Sequence, residues 1–570
     1  MASAPNPGPS AITVAVRGVA AIGVWRLLAV AMPHLAAFAI LLRTETDFGG
    51  RISFLLSWGI LNCAFIALLR RPALSGALSL TLVVVLVLLS KFKHDVVQMT
   101  ANFVDLMVID RDSAAFLFTI FPNLRWSVIL TGLVTIPLMY ALWWLDPFRI
   151  RRLPALAGML ACLAALVGYS FARPDDAWRS YSPDGYLSKF SRSGVTAVSD
   201  FVNYGFMESD AVVAGRLKVP LVDSCAPAGR RPHIIMVHDE SSFDIRQAQG
   251  MKVPAGYGRH FDSFDGVARK FVAESSGGAS WFTEYNVLAG LSSRSFGRFS
   301  YFVTRIAAGR VERGLPLALR RCGYSTTSLY PANGAFMSAR GFHTSTGIQN
   351  FYDARDLGAK GIEPDSFFYD KAVNLLSQNA TASPQFIYVY LAANHFPWET
   401  PFRPDLTPSW SKPGNAPVVD EYVRRQTMSA NDYSAFVARL KKKFPAQPFL
   451  IVRYGDHQPE FSSHVLDPGI DDTAAGKKFE TYDPRYFTTY YAIDAVNFEP
   501  VKSPVVMETV DAAYLPLVIQ EAAGIPLDPT FEEQKNIMLR CKGVFYACKG
   551  GAEARRFNRL LIDAGFVKNL

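Results

Sequence analysis

Five long apolar runs crowd the first 172 residues of this 570-residue chain, near 24–43, 52–69, 73–90, 127–145 and 154–171. Nothing else in the sequence limits the fold as strongly. A run of roughly 20 apolar residues crosses a bilayer as a helix, because hydrocarbon tolerates only a backbone that satisfies its own hydrogen bonds. Residues 11–172 are therefore expected to form a transmembrane domain of five helices, behind a Pro-, Ser- and Gly-rich disordered tail at 1–10. Half of all residues are hydrophobic, too many for a soluble enzyme of this length. The excess lies in this first third, and the remainder reads as one large soluble domain. No convincing signal-peptidase site follows the first run, so that span is expected to be retained.

Loop charges orient the spans. Arg70 and Arg71 join the second and third, and Arg149, Arg151 and Arg152 join the fourth and fifth. Basic loops stay cytoplasmic, which puts everything after about residue 172 outside. The loop 91–126 is then external. It is amphipathic (Val96, Val97, Phe103, Leu106, Met107, with Asp95, Asp105 and Asp110) and is read as interfacial helices on the outer leaflet, or as a plain connector. Residues 173–230 form a linker with a further interfacial helix between Gly185 and Phe206. The net charge of +9 fits positive-inside loops and a face near anionic lipid. With no basic helix and no aromatic–basic array, nucleic acid is excluded as a partner.

From 231 to 570 short apolar β-type runs alternate with helical patterns, as in an α/β domain. Three runs end in polar residues: His233–Val237 before His238-Asp239-Glu240, Phe386–Leu391 before Asn394-His395, and Phe449–Val452 before Arg453-Tyr454-Gly455-Asp456-His457. In open α/β sheets, sites gather at the carboxyl ends of strands. Between them lies Gly277-Gly278-Ala279-Ser280, followed by an apolar helical run from Trp281 to Leu291. Two readings stand for Ser280. A serine after glycine caps a helix, and a hydroxyl at a helix N-terminus also suits a nucleophile that attacks and carries a phosphate.

The polar residues make a consistent chemical set. Glu240, Asp456 and His457 offer two carboxylates and an imidazole, and the Ser280 oxygen completes four ligands for a divalent metal. His395 is placed to protonate a leaving alkoxide or to bind a phosphoryl oxygen. Arg340 is a candidate phosphate clamp, with a surface salt bridge as its ordinary alternative. Asp239 beside Glu240 leaves open which carboxylate faces the metal.

Tyr454-Gly455-Asp456-His457, Glu240-Ser241-Ser242-Phe243, Ser280 four residues before Glu284, and Asn394-His395-Phe396-Pro397-Trp398 together resemble the lipid-headgroup transferases of the alkaline phosphatase/sulfatase superfamily. The resemblance spans nearly the whole chain. It is closest to lipoteichoic-acid synthases and to periplasmic phosphoglycerol transferases acting on glucans, with phosphoethanolamine transferases more distant. It implies five membrane helices followed by a sulfatase-like α/β domain. Glu240, Ser280, Asp456 and His457 would bind one divalent ion, Mn2+ first, with Zn2+ or Mg2+ as alternatives. Ser280 would be the nucleophile, and His395 with Arg340 would bind the headgroup phosphate. The family often has threonine where Ser280 stands, and the spacing around Arg340 departs from the synthases.

The implied activity is transfer of phosphoglycerol from phosphatidylglycerol to a hydroxyl on a periplasmic glucan or envelope glycan, through a phosphoserine, at a bacterial inner membrane. The partners are then a phospholipid donor and a glycan or glycolipid acceptor. Phosphoethanolamine transfer is the alternative. A sulfatase is disfavoured because Ser280-Trp281-Phe282-Thr283-Glu284 lacks the Pro and Arg of the formylglycine motif. A non-catalytic lipid sensor would have lost metal ligands. Cys225, Cys322, Cys541 and Cys548 lie outside the spans and suit an oxidising compartment. Cys541–Cys548 closes a short loop and is the first choice, leaving Cys225–Cys322 as the second pair. Reporter fusions test the orientation: one after Arg152 should read cytoplasmic and one after Arg173 external. An external signal after Arg152 would remove the five-span topology.

Overall fold

The computed structural model describes residues 24–97, 99–108, 118, 122–175, 179, 182–213, 217, 225, 230–378, 383–568 and 570. The tail at 1–10, expected to be disordered, Asp110 with part of the loop 91–126, and parts of the linker 173–230 lie outside the described residues. The chain divides into two compact units, Met1–Asp105 with Leu117–Ser199, and Leu106–Phe116 with Asp200–Leu570.

The first unit holds five helices long and apolar enough to cross a membrane. They are α1 (Val24–Thr44), α2 (Phe48–Leu69), α3 (Pro72–Val97), α4 (Pro122–Leu145) and α5 (Arg152–Ala172). The third run continues as helix well past residue 90, into the stretch expected to be loop. Two tethers hold its charged end: Lys93 pairs with Asp105 at 2.9 Å, and Ser90 Oγ accepts from the Ala101 N–H. α2 and α5 approach through small residues. A Cβ on Gly59 would come 2.8 Å from Cys162 Sγ, and one on Gly158 would come 3.1 Å from Cys63 Sγ. Polar contacts sort the loops into two ends. At one end Asp146 accepts from the Ala73 N–H at 2.7 Å and Ile150 donates to Arg70. At the other, Gly185 donates to Thr44 at 2.7 Å and Ser188 to Glu45. α6 (Tyr186–Tyr204) follows, burying Tyr186, Leu187 and Ala197 while Val198, Phe201 and Val202 stay exposed.

The second unit is built on an eight-stranded mixed sheet in the order β4-β3-β5-β1-β6-β7-β2-β8. The strands are β1 (His233–Asp239), β2 (Arg269–Val272), β3 (Ser325–Leu329), β4 (Asn350–Tyr352), β5 (Gln385–Tyr390), β6 (Phe449–Gly455), β7 (Thr488–Val496) and β8 (Thr509–Asp511). The three strands expected from sequence, β5, β1 and β6, are neighbours at its centre and run parallel. They are apolar along both faces because both faces are buried. Ile235, Val237, Ile387 and Ile451 pack with α8 (Asp365–Gln378) and α9 (Pro417–Lys443) through Phe368, Tyr369, Phe436 and Leu440. Disulfides join Cys225 to Cys322 and Cys541 to Cys548.

His233 opens β1. Its Nδ1 accepts from the Gln385 N–H at 3.1 Å and its ring stacks on Phe449. Burial, with Arg230 nearby, lowers its pKa from 6.5 to about 4. The unfolded chain therefore binds a proton there that the folded chain refuses, so stability falls as pH drops from 6.5 towards 4. The melting temperature of the purified protein should decline over that window, and His233→Gln should flatten the decline. An unchanged slope would assign the acid sensitivity to other groups.

Candidate metal centre and active site

The carboxyl ends of β1 and β6 lie side by side, with Asp239 in register with Gly455. Side chains alternate along a strand. Asp239 follows Ile235 and Val237 onto one face, where its Oδ2 meets His260 Nε2 at 2.9 Å and the Tyr490 hydroxyl at 2.5 Å. Glu240, one residue on, joins the opposite group: its Oε2 accepts from Ser280 Oγ and from Tyr390 Oη, each at 3.2 Å. Glu240 is thus the carboxylate that faces Ser280.

Ser280 precedes α7 (Trp281–Ala289) and makes no side-chain cap. Its Oγ instead lies 3.1 Å from His457 Nε2, which removes the capping explanation. Three residues in the left-handed region lead into it: Gly277 (φ 74°), Gly278 (φ 151°) and Ala279 (φ 58°). Thr283, on the first turn of α7, donates to the Asp456 carbonyl at 2.7 Å. The helix that follows Ser280 is thereby fastened to the loop that carries Asp456 and His457.

Asp456 is fully buried. Its Oδ1 accepts from the N–H groups of Ser241 and His457 at 2.7 and 2.8 Å. Its Oδ2 lies 3.3 Å from His457 Nε2 and 3.1 Å from His238 Nε2. The approach to His238 lacks hydrogen-bond geometry, and both atoms are buried without a hydrogen-bond partner. His238 is a residue that sequence reasoning left out of the ligand set. Its signal was only its place two before Glu240 on the same face of β1. Ligand atoms of His238, Glu240 and Asp456 lie within 4.8 Å of one another. Orphaned buried donors and acceptors cost energy unless something sits between them. The nitrogen and oxygen donors gathered here fit a divalent cation.

The electrostatics agree. Burial would raise the Glu240 pKa, but its bond to His457 and the charges of His395, His457 and His238 outweigh it and pull it well below the ordinary range. Burial would lower His457, but Asp456 and Glu240 outweigh that and raise it to about 9. The group therefore calls for positive charge, whether from a proton or an ion. His457 Nδ1 donates to the Gln458 carbonyl at 2.8 Å, which leaves Nε2 as its ligand atom.

His395 is half-buried on the loop after β5. Its Nδ1 donates to the Phe396 carbonyl at 2.8 Å, so Nε2 is its free nitrogen. α9 braces this loop: Arg425 holds the carbonyls of His395 and Pro397 at 2.7 Å, and Gln426 reaches both Asn394 and Ser242. Arg340 is the candidate that the structure does not bring to the group. Its guanidinium bonds the Phe351 carbonyl, Asp353 and Asp356 at 2.9, 3.1 and 2.9 Å, and nearly half of it is exposed. The ordinary alternative, a surface ion pair, describes it.

Residues 273–486 match the family model described as Sulfatase. That segment contains Ser280, His395, Asp456 and His457, while His238 and Glu240 lie just ahead of it. The chain thus has five helices long and apolar enough to cross a membrane, followed by a sulfatase-like α/β domain. It is similar to an uncharacterized protein of Haemophilus influenzae, 23% identical over 285 residues, or 46% of this chain and 48% of the relative. The match thus spans about half the length of that curated relative. Among solved structures it is similar to the Streptococcus pyogenes phosphoglycerol transferase GacH in complex with sn-glycerol-1-phosphate. That likeness has 17% identity and a TM-score of 0.45, covering 59% of this chain and 85% of that one. It is also similar to the lipooligosaccharide phosphoethanolamine transferase A (EptA) from Neisseria meningitidis, with 14% identity and a TM-score of 0.44, covering 85% of this chain and 97% of that one.

Elemental analysis of variants tests the centre. Asp456→Asn and His457→Ala should lose the bound metal while the fold survives, since both sit on a strand-end loop. His238→Phe should weaken metal affinity by about 10–100-fold. Full metal occupancy in the first two variants would reject the site.

Proposed function

We propose that this protein is a metal-dependent transferase that moves a phospholipid headgroup to an acceptor hydroxyl through a phosphoserine at Ser280. The donor is phosphatidylglycerol and the acceptor a periplasmic glucan or envelope glycan, with the α/β domain on the periplasmic side of a bacterial inner membrane. One observation carries the reading: Ser280 Oγ gives up the capping bond its position offers and lies 3.1 Å from His457 and 3.2 Å from Glu240.

Ser280 Oγ attacks the diester phosphorus, forming an O–P bond as the P–O bond to diacylglycerol breaks. The Ser280 proton passes to solvent as that bond forms, and His395, through Nε2, gives its proton to the departing diacylglycerol oxygen. In the second half His395 takes the proton of the acceptor hydroxyl as that oxygen bonds the phosphorus, the P–O bond to Ser280 breaks, and the Ser280 oxygen regains a proton from solvent. The N-terminus of α7 stabilises the added negative charge. Glu240, Ser280, Asp456 and His457 would hold the ion, with His238 beside them. When bound, a divalent ion, Mn2+ in preference to Zn2+ or Mg2+, lowers the hydroxyl pKa and neutralises charge on the phosphoryl group. Arg340, engaged by Asp353 and Asp356, has no part in these steps.

Intact-protein mass spectrometry after exposure to donor lipid without acceptor tests the mechanism. With phosphatidylglycerol, the mass of one phosphoglycerol should appear on Ser280, together with free diacylglycerol. Ser280→Ala should abolish both and lower turnover at least about a thousandfold, while Ser280→Thr retains activity. An adduct from phosphatidylethanolamine alone would change the headgroup. Turnover without any adduct would replace the phosphoserine by direct transfer.

A further inference from the structure

The helical unit contains a cavity of about 300 Å³ near the carboxyl ends of α1 and α3. One wall is apolar, formed by Ile40, Val84, Val87 and Leu88, and two cations, Arg43 and Lys91, complete it. The two helices run in the same direction, because one helix, α2, lies between them in the chain and reverses it. Both cations therefore mark the same end of the unit, opposite the loops that carry Arg70 and Arg149. Val84 and Leu88 remain substantially exposed and continue the apolar wall outward along α3.

Among the described residues neither cation is neutralised by an ion pair. Among the described residues Arg43 makes no ion pair, and Lys91 makes only a contact with the Tyr186 ring, 5.9 Å from its centroid. The carboxylates around them are committed elsewhere. Glu45 takes Ser188 at 2.7 Å, and Asp184 takes Lys189 at 3.0 Å and Thr46 at 2.5 Å. Asp95 stands one turn beyond Lys91 without forming an ion pair. The rim is fixed, since Tyr186 donates to the Pro183 carbonyl at 2.7 Å and Gly185 to Thr44.

We infer that this cavity binds one phospholipid. Its phosphate lies between Arg43 and Lys91, and an acyl chain lies along Ile40, Val84, Val87 and Leu88. Two cations without an ion pair among the described residues, above a wall of aliphatic side chains, complement an anion attached to a hydrocarbon tail. The volume accommodates a phosphate and glycerol backbone, leaving the tails to the bilayer. The inference rests on the membrane reading of the five helices and not on the transfer chemistry. A resident lipid here is a different statement from basic side chains reaching for the interface, which bind no particular molecule.

Native mass spectrometry of the full-length protein, released from detergent micelles doped with phosphatidylglycerol, tests it. Ser280→Ala is present in every sample, so that no donor is consumed and a failed transfer mechanism leaves the result untouched. One retained phospholipid per chain is expected. Arg43→Gln combined with Lys91→Gln should reduce retention at least tenfold. Val87→Trp, which fills the wall and spares both cations, should do the same. Arg152→Gln, at the other end of the unit, should leave retention unchanged. Melting curves without added lipid identify any variant that has unfolded, and the remaining variant then decides. Undiminished retention in both cavity variants would overturn the site. So would equal retention of glycerol 1-phosphate without chains, which would make it a phosphate site rather than a lipid site.

Discussion

The parallel pairing of β1 with β6 is the constraint on which the candidate site depends. Their register sets Asp239 opposite Gly455, so the residues that follow, Glu240 on one strand and Asp456-His457 on the other, emerge at one level. Gly455 has to be glycine, because a Cβ there would overlap the Ser242 carbonyl oxygen. That close passage lets the Ser241 N–H reach Asp456 Oδ1. A slip of one residue would turn Glu240 to the face now held by Asp239 and leave the Asp456 carboxylate without its backbone donors. Tight burial on both faces of these strands forbids the slip.

Such a dense set of buried carboxylates is costly unless positive charge and hydrogen bonds offset it. The two faces of the sheet solve the problem differently. On the Asp239 face the offset is permanent: His260 and Tyr490 bond the carboxylate, and Arg453, anchored on Asp494, bonds the His260 carbonyl at 2.7 Å. On the Glu240 face the hydroxyl partners are neutral, and His457, raised to about 9, brings positive charge. Tyr390 and Ser241 bond Glu240, while Tyr388 and Tyr454 bond His238 Nδ1 at 2.8 and 2.9 Å. Among the described residues no arginine or lysine pairs with this group. That contrast suits a place where a divalent cation could supply the balancing charge.

Much of this arrangement was legible in the sequence, because periodicity and strand ends are local signals. The five apolar runs, the three central strands and the residues at their ends need no long-range information. Strand alternation even decides between Asp239 and Glu240 once β1 is known to extend through Asp239. Arg340 was not legible. Its partners Asp353 and Asp356 belong to a separate turn after β4, and only the tertiary path brings them to its guanidinium. His238 was hidden for the opposite reason: a histidine near the end of a buried strand looks like packing until its Nε2 is seen facing Asp456. The end of α3 was misjudged because the charges from Lys91 onward read as a local stop signal, whereas in the fold Lys93 pairs with Asp105 and the helix runs on to Val97.

Ser280 was ambiguous in sequence, and the backbone around it tells against the capping reading. A non-glycine residue in the left-handed region costs about 1 kcal/mol, and such strain persists only where the surroundings hold it. Ala279 is held from both sides. Before it, Gly277 donates to the Gln458 carbonyl at 2.9 Å, which joins the Ser280 loop to the loop carrying His457. After it, Thr283 donates to the Asp456 carbonyl. The far end of α7 is closed by Arg313, a buried guanidinium that donates to the carbonyls of Ala289 and Gly290 at 2.6 and 3.1 Å. A helix needed only for packing would take the serine cap its sequence offers and spare the strained turn. Here the cap is forgone, the turn is strained and both ends are pinned, and the common result is that one hydroxyl points at Glu240 and His457. Preorganisation of that kind supports the proposed role of Ser280 as the nucleophile.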